Sequence, residues 1–403
     1  MALARESENT IYAAPGNAGT AQLAENFALE ATNPKLVVEA ATDLGVDLVV
    51  VGPEAPLVAG VADALRAEGI AVFGPNHKAA AIEGSKSFAK DVMQAAGVPT
   101  GESQTVSTVD DLTTALDQMG APFVVKADGL AAGKGVLVTE DRQAAIDHAS
   151  YYLQDGTVVV EEFLDGPEVS LFFLSDGTTV VPLAPAQDYK RAFDGDEGPN
   201  TGGMGAYSPL TWLDDDFVDT VASTIAQPTI DELAKRGLPF VGLLYCGLIV
   251  TEAGIKVIEF NARFGDPETQ VVLARLTSPL APLLLAAANG TLSDVEPPEF
   301  SDDVAITVVL ASEGYPESPK TGRALEGLDQ AEAVAGISIA HAATAVSDGS
   351  LIATGGRVLS VIARGESFVQ ARSRAYEALD CISLEGSHFR RDIAARVSDE
   401  HAG

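Results

Sequence analysis

Residues 122–139 read PFVVKADGLAAGKGVLVT, and the chain's architecture turns on how this stretch is read. Residues 122–127 (PFVVKA) have the apolar, β-branched content of a strand, and Val136–Thr139 (VLVT) that of a returning one. Between them, GLAAGKG (129–135) is a glycine-rich loop. It resembles a phosphate loop that opens a helix but does not match one. Only three residues separate Gly129 from Gly133, Gly135 stands where Ser or Thr would bind magnesium, and no long helix follows. Strand, glycine loop and strand instead predict a hairpin flap. Such a flap closes over a polyphosphate, offering backbone N–H groups and Lys134 while excluding water. The plainer alternative is a hairpin turn without a ligand; Lys126, on the entering strand, weighs against it.

Two further stretches carry chemistry. Residues 188–209 (DYKRAFDGDEGPNTGGMGAYSP) show no helical or strand periodicity, so a long polar loop is expected. Loops of this length are uncommon in compact domains unless functional or disordered. Asp188, Lys190 and Arg191 supply charge, and Gly202, Gly203 and Gly205 let backbone amides approach a ligand; a solvated linker is the bland alternative. Residues 243–251 and 256–260 predict a hairpin around Glu252, Ala253 and Gly254. Strict alternation places Val257, Glu259 and Asn261 on one face, and Ile258 and Phe260 on the other. Two oxygen-bearing side chains two apart suit a hard cation such as Mg²⁺. A solvent-facing edge is the alternative, weakened because Arg263, Asp266 and Glu268 follow directly.

The remainder is read more coarsely. Residues 1–75 alternate short strands with helical patterns, which implies a parallel α/β sheet with ligand loops at strand C-termini. The turns after Ala14 and Val51 lie at such ends, although plain βα turns fit equally. Single helices are expected over 57–68, 79–96 and 215–236, with Ser107 or Thr108 capping a helix that reaches Met119. Residues 157–163 and 168–175 read as strands. From about Ser301 the charged clusters thin out, and Val304–Ala311, residues 357–363 and residues 367–382 read as a supporting α+β domain.

Composition narrows the function. At 403 residues with 46% apolar content, the chain supports two or three domains. A net charge of −33 disfavours nucleic acid and anionic membranes. The start, MALARESENT, has no apolar h-region, so no signal peptide is expected, and no apolar run has membrane-spanning length. Two cysteines, Cys246 and Cys381, fit a reducing compartment. Of ten lysines, Lys86, Lys126, Lys134 and Lys190 fall in the glycine-rich or charged motifs, where phosphate chemistry would need them. The five histidines show no metal-ligand spacing.

The motifs APGNAGT (14–20), GPEAPL (52–57), EGSK (83–86), KADGLAAGKGV (126–136), EEFLDG (161–166), GPNTGGMGAYSP (198–209) and VIEFNARFGDPETQ (257–270) occur in one order over nearly the whole chain. In them the chain resembles the phosphoribosylamine–glycine ligases, also called glycinamide ribonucleotide synthetases, which are ATP-grasp enzymes of purine synthesis. The resemblance implies an α/β and α+β multidomain protein with an ATP-grasp fold, an N-terminal doubly wound parallel sheet and a C-terminal α+β domain. The expected divisions are 1–97 (Rossmann-like), 98–167 (lid with the flap), 168–300 (central catalytic) and 301–403. The implied reaction joins glycine to 5-phospho-β-D-ribosylamine through glycyl phosphate, using ATP and Mg²⁺ or Mn²⁺, in a cytoplasmic monomer.

By the same resemblance, Lys86, Lys126, Gly129, Gly133, Lys134 and Gly135 would hold and cover ATP phosphates, with Glu161, Glu162 and Glu168 also on the nucleotide. Glu259 and Asn261 would bind the metal. Arg263 would stabilise the acyl phosphate, and with Asp188 and Lys190 position the reactants; Gly16, Asn17, Glu54 and Asp266 join the substrate set. Two departures stand out. Tyr189 replaces a usual His, and the family's opening strand and GSGGREHA-like loop are missing before Ala2, so neighbouring strands are expected to lose a partner. Another ATP-grasp carboxylate–amine ligase, or an inactive ATP-binding remnant, are the competing readings; no G-x-G-x-x-G follows a strand, which excludes a dinucleotide oxidoreductase.

Overall fold

The computed structural model describes residues 1–129 and 135–400, so the expectations for Gly133 and Lys134 lie outside the described residues. In the N-terminal region Tyr12–Ala13 pairs in parallel with Glu25–Asn26, and Val49–Val50 pairs in parallel with Val72–Phe73. The doubly wound sheet is thus present as two separate parallel pairs. An apolar groove of about 190 Å³ is lined by both, including Tyr12, Phe27, Val37, Leu44 and Val50. Helix Pro34–Leu44 flanks it, started by the Asn33 side chain on two backbone N–H groups and stopped by left-handed Gly45.

Two expected helices are each divided. Gly60, at φ +82°, separates Glu54–Val58 from Val61–Ala67. Ser85 leaves helical geometry between His77–Gly84 and Lys86–Ala96, and its hydroxyl accepts the Phe88 N–H. That second break bears on function. It makes Lys86 the first residue of a helix, with Lys90 one turn further along the same face.

Two four-stranded antiparallel sheets follow. The first has the order Ser103–Val106, Val158–Glu161, Phe123–Ala127, Val136–Thr139. Helices Val109–Met119 and Arg142–Tyr152 cover one face, where Phe123, Val125, Val158 and Val160 enter a core with Leu112, Leu116 and Ala149. Alternation then turns Val124, Lys126, Val159 and Glu161 to the other face. The second sheet has the order Val180–Pro182, Glu168–Asp176, Val241–Thr251, Gly254–Asn261. The sheets are tied where Val257 N–H donates to Pro99 O (2.8 Å) and Thr100 Oγ1 donates to Val257 O (2.7 Å).

The expected alternation over 257–261 is corrected. The register slips opposite Gly247 and Leu248, so Ile258 is an extra residue in its strand. Val257 and Phe260, three apart, therefore both enter the same apolar core. Glu259 and Asn261, beyond the bulge, keep their two-residue spacing.

Residues 188–209 are also more ordered than their composition suggests. Arg191–Phe193 pairs with Glu197–Asn200. Gln187–Asp188 and Gly205–Ser208 join Val304–Ala311, Arg357–Gly365 and Ile337–His341 in a five-stranded sheet. Asp188 and Lys190 therefore hang from the edge of the C-terminal sheet. Glycine-rich, charged strands carry little β-propensity of their own; pairing with the fully buried Val304–Ala311 strand overrides it. The helical stretch 215–236 contains a π-turn at Ala222–Ala226.

Candidate active site between the two sheets

Two groups of charged side chains meet under the Gly254–Asn261 strand. In the first, Lys126 Nζ donates to Glu161 Oε2 at 2.8 Å and to Ile258 O at 3.3 Å. Lys90 Nζ lies 3.4 Å from the same Glu161 oxygen, and also donates to Thr100 Oγ1 and Gly101 O. Lys86 Nζ donates to Ala127 O (2.9 Å) and Gly129 O (3.2 Å), where the strand Phe123–Ala127 ends. Burial lowers the affinity of Lys86 and Lys90 for their protons, opposed by Glu259 at Lys86 and by Glu161 at Lys90. Lys90 and Lys126 at one carboxylate, with Lys86 on the adjoining backbone carbonyls, form a cationic floor suited to a polyphosphate.

Lys90 is a member of this floor that the motif reading missed. The signal was its position four after Lys86 on an unbroken helical pattern. Asp128 was missed as well. Its carboxylate accepts from Ser85 Oγ (3.1 Å), Ser87 N–H (3.2 Å) and Thr157 Oγ1 (3.0 Å), which fixes the residue just before Gly129. Burial would raise its pKa, but these donors outweigh that and hold it below the usual range. Gly129 itself sits at φ +132°, a conformation that favours glycine. Glu161 and Glu162, expected together on the nucleotide, divide their work. Glu161 anchors lysines, while Glu162 accepts the Glu102 N–H and pairs with Lys256 at 3.2 Å.

The second group is the acceptor side. Lys190 ion-pairs with Glu168 and lies 3.6 Å from Asp188. Glu168, expected on the nucleotide, is thus paired with the acceptor lysine. Asp188 is 6% exposed at its side chain. Burial, reinforced by Glu268, Glu168 and Glu259 and opposed by Lys190, raises its pKa to about 7. Burial disfavours the Lys190 cation, yet Asp188 and Glu168 outweigh it and raise its pKa. Behind them, Glu268 Oε1 accepts from Tyr245 OH (2.9 Å), and Ser170 Oγ lies 2.8 Å from that hydroxyl.

Arg263 lies beside this group. Its Nε is 3.2 Å from Glu83 Oε1 and 3.5 Å from Glu54 Oε2, joining the N-terminal region to the site. Glu83 also accepts the Ala262 N–H at 2.7 Å. Burial pushes the Glu83 carboxyl up, offset by Arg263 and that amide. Asp266 is turned toward the C-terminal sheet, pairing with Arg357 at 3.2 Å and accepting from Gln270 Nε2 at 2.8 Å.

Among the described residues, no hydrogen bond or ion pair brings Gly16 or Asn17 to this cluster. The Asn17 Oδ1 accepts from the N–H groups of Gly19 and Thr20, and its Nδ2 donates to His341 O and Ala342 O. That amide is spent on the turn and on docking it to the C-terminal region. Gly16 is required by its own turn, at φ +76° and with Asn26 2.4 Å from any Cβ.

Glu259 and Asn261 lie between the two groups. Among the described residues no hydrogen bond or ion pair to the Glu259 carboxylate occurs, although its charge is felt at Lys86, Glu83, Asp188 and Lys190. A carboxylate without a fixed partner, next to an amide oxygen, is a donor set that fits a small hard cation.

Residues 1–83, 84–269 and 305–396 match, in turn, the N domain, the ATP-grasp (A) domain and the C domain of phosphoribosylglycinamide synthetase. The chain is 63% identical over 398 residues to the phosphoribosylamine–glycine ligase of Leifsonia xyli subsp. xyli, covering 98% of this chain and 95% of that one. It is 57% identical to the Streptomyces coelicolor ligase of the same name, covering 96% and 93%. Its structure superposes on the crystal structure of the Thermotoga maritima phosphoribosylamine–glycine ligase with a TM-score of 0.85 at 32% identity, covering 98% and 96%.

Proposed function

The chain belongs to the phosphoribosylamine–glycine ligase family, and we propose that it joins glycine to 5-phospho-β-D-ribosylamine with ATP, giving glycinamide ribonucleotide, ADP and phosphate. This is a step of purine biosynthesis. The observation that carries the reading is the meeting, under one strand, of a three-lysine floor with the Asp188–Lys190–Glu168 group, in which the Asp188 side chain is buried.

In this reading Lys86, Lys90 and Lys126 hold the ATP phosphates, the flap from Gly129 to Gly135 covers them, and Glu162 with the adjoining backbone meets the nucleoside. The glycine carboxylate attacks the γ-phosphorus and becomes glycyl phosphate; the ribosylamine nitrogen then attacks its carbonyl carbon and releases phosphate. Lys190 and Asp188 orient the reactants, and Arg263, set by Glu54 and Glu83, faces the acyl phosphate. No nucleophilic side chain is needed, because orientation and fixed charge carry the transfer. Glu259 and Asn261 would hold Mg²⁺ or Mn²⁺, which when bound neutralises charge on the transferring phosphoryl group.

The divisions at residues 98, 168 and 301 go with this reading, with the C-terminal sheet reaching back across the last of them to carry Asp188. The same reading makes the protein a cytoplasmic monomer acting on small molecules, without a nucleic-acid or membrane partner. No described helix is long and apolar enough to cross a membrane. ADP release by the full chain should require glycine and phosphoribosylamine together, with glycinamide ribonucleotide identified by mass spectrometry. ADP release that ignores either substrate would overturn the assignment.

A further inference from the structure

Arg390 belongs to the C-terminal region, yet its side chain is 1% exposed and reaches residues 189–196 as well as its neighbour Asp392. Its Cζ lies 4.8 Å from the centre of the Tyr189 ring. NH1 donates to Asp196 Oδ1 (2.8 Å) and Arg191 O (3.2 Å), while Nε and NH2 donate to the two oxygens of Asp392 (2.8 and 2.6 Å). Asp392 accepts the Gly195 N–H, Asp194 accepts the Arg391 N–H, and the Ala394 N–H donates to Tyr189 OH at 2.9 Å.

The backbone explains what this clamp holds. Tyr189 N–H donates to Gly205 O and Met204 N–H to Tyr189 O, so the ladder begun by Asp188 and Ala206 continues through residue 189. On an extended chain Asp188 and Lys190 share one face and Tyr189 takes the other. The two charged groups face the site, and the tyrosine ring faces the C-terminal region under Arg390. Rotation of this segment would move all three side chains together. A stacked guanidinium fork with carboxylate partners resists rotation in a way that a flexible ammonium does not.

We infer that Arg390 is a positioning residue, acting through Tyr189 to set Asp188 and Lys190 where they orient glycine. The inference rests on the role proposed above for those two residues.

The test is steady-state kinetics on the full chain carrying Arg390→Lys, Arg390→Ala or Tyr189→Leu, with ATP binding and thermal melting measured in parallel. Arg390→Lys and Tyr189→Leu should lower kcat and raise the glycine KM by about tenfold each, with the ATP Kd within about twofold of the parent. Millimolar guanidinium should restore part of the lost kcat in Arg390→Ala and none in Tyr189→Leu. Folded variants with unchanged kcat and glycine KM would overturn the inference. So would a glycine KM and an ATP Kd that weaken by the same factor, the mark of general loosening. Should the Arg390 variants fail to fold, Tyr189→Leu decides by the same two criteria. An inactive parent chain overturns the reading of the site and the clamp with it; an active parent with unchanged variants overturns the clamp alone.

Discussion

Lys126 and Glu161 meet at 2.8 Å from adjacent strands, with their side chains only 8% and 5% exposed. Their register is diagonal, Lys126 opposite Val159 and Val124 opposite Glu161, and both point away from the apolar core of their sheet. Removing one partner of a buried pair leaves an uncompensated charge. Lys126→Met should therefore destabilise the protein by on the order of 3 kcal/mol in urea unfolding, the low end of the usual range because Lys90 remains beside Glu161. The same variant should weaken ATP binding by about tenfold or more, read by calorimetry, since one phosphate donor is gone. Unchanged ATP affinity in a folded variant would remove Lys126 from the phosphate floor.

Asp188 should give the reaction a pH dependence near neutrality. Its folded pKa of about 7 lies above the ordinary 3.8, so the folded state binds this proton more tightly than the unfolded chain does. The resulting stability is present at low pH and lost as pH rises through 7. Relative to Asp188→Asn, the parent should lose melting temperature between pH 4 and 7. Catalysis should run the opposite way, because the carboxylate is the form that pairs with Lys190. The kcat/KM for glycine should climb through pH 7, and Asp188→Asn should flatten that limb.

Arg357 couples two loops of the acceptor side from a C-terminal strand. Its NH1 donates to Gly202 O (2.7 Å) and Asp266 O (2.6 Å), while NH2 pairs with Asp266 Oδ2. Charge-assisted bonds of this kind are worth about 1.5–3 kcal/mol. Arg357→Ala should lower kcat/KM for phosphoribosylamine by roughly tenfold to a hundredfold while leaving ATP binding intact. Equal losses for both ligands would show a global defect instead.

Gly203 meets a tighter constraint. It sits at φ +111°, and a Cβ there would lie 2.3 Å from Pro267 Cδ. Gly203→Ala must both strain the backbone and separate the two loops, at a cost of about 1–3 kcal/mol. A lower melting temperature together with a reduced kcat is the expected result; Gly45→Ala, also at positive φ but with open space around it, should cost stability without touching kcat.

Much of the site could be read along the chain because its residues lie in short, dense motifs. Lys86, Lys126, Asp188, Lys190, Glu259 and Arg263 each stand in a run whose glycines and charges have no use in a plain core. Lys90 escaped notice because it falls in an ordinary helical pattern, and only the break at Ser85 turns that helix's first turn toward Glu161. Arg357 and Arg390 escaped notice because the site segments they hold lie 91 to 199 residues away along the chain.

The sequence by itself determined the parts that depend on local spacing: the strands on either side of the glycine-rich stretch, the two-residue spacing of Glu259 and Asn261, and the ligase motifs. Tertiary structure alone decided where the parts go. Backbone groups of Gly205–Ser208 must find partners, and the strand that offers them, Val304–Ala311, lies in the C-terminal sheet, with Gln187–Asp188 added at the outer edge. That pairing, with the bulge at Ile258 and with Lys90 and Lys126 folded onto Glu161, depends on hydrogen-bond satisfaction and burial between distant segments, which no local pattern encodes.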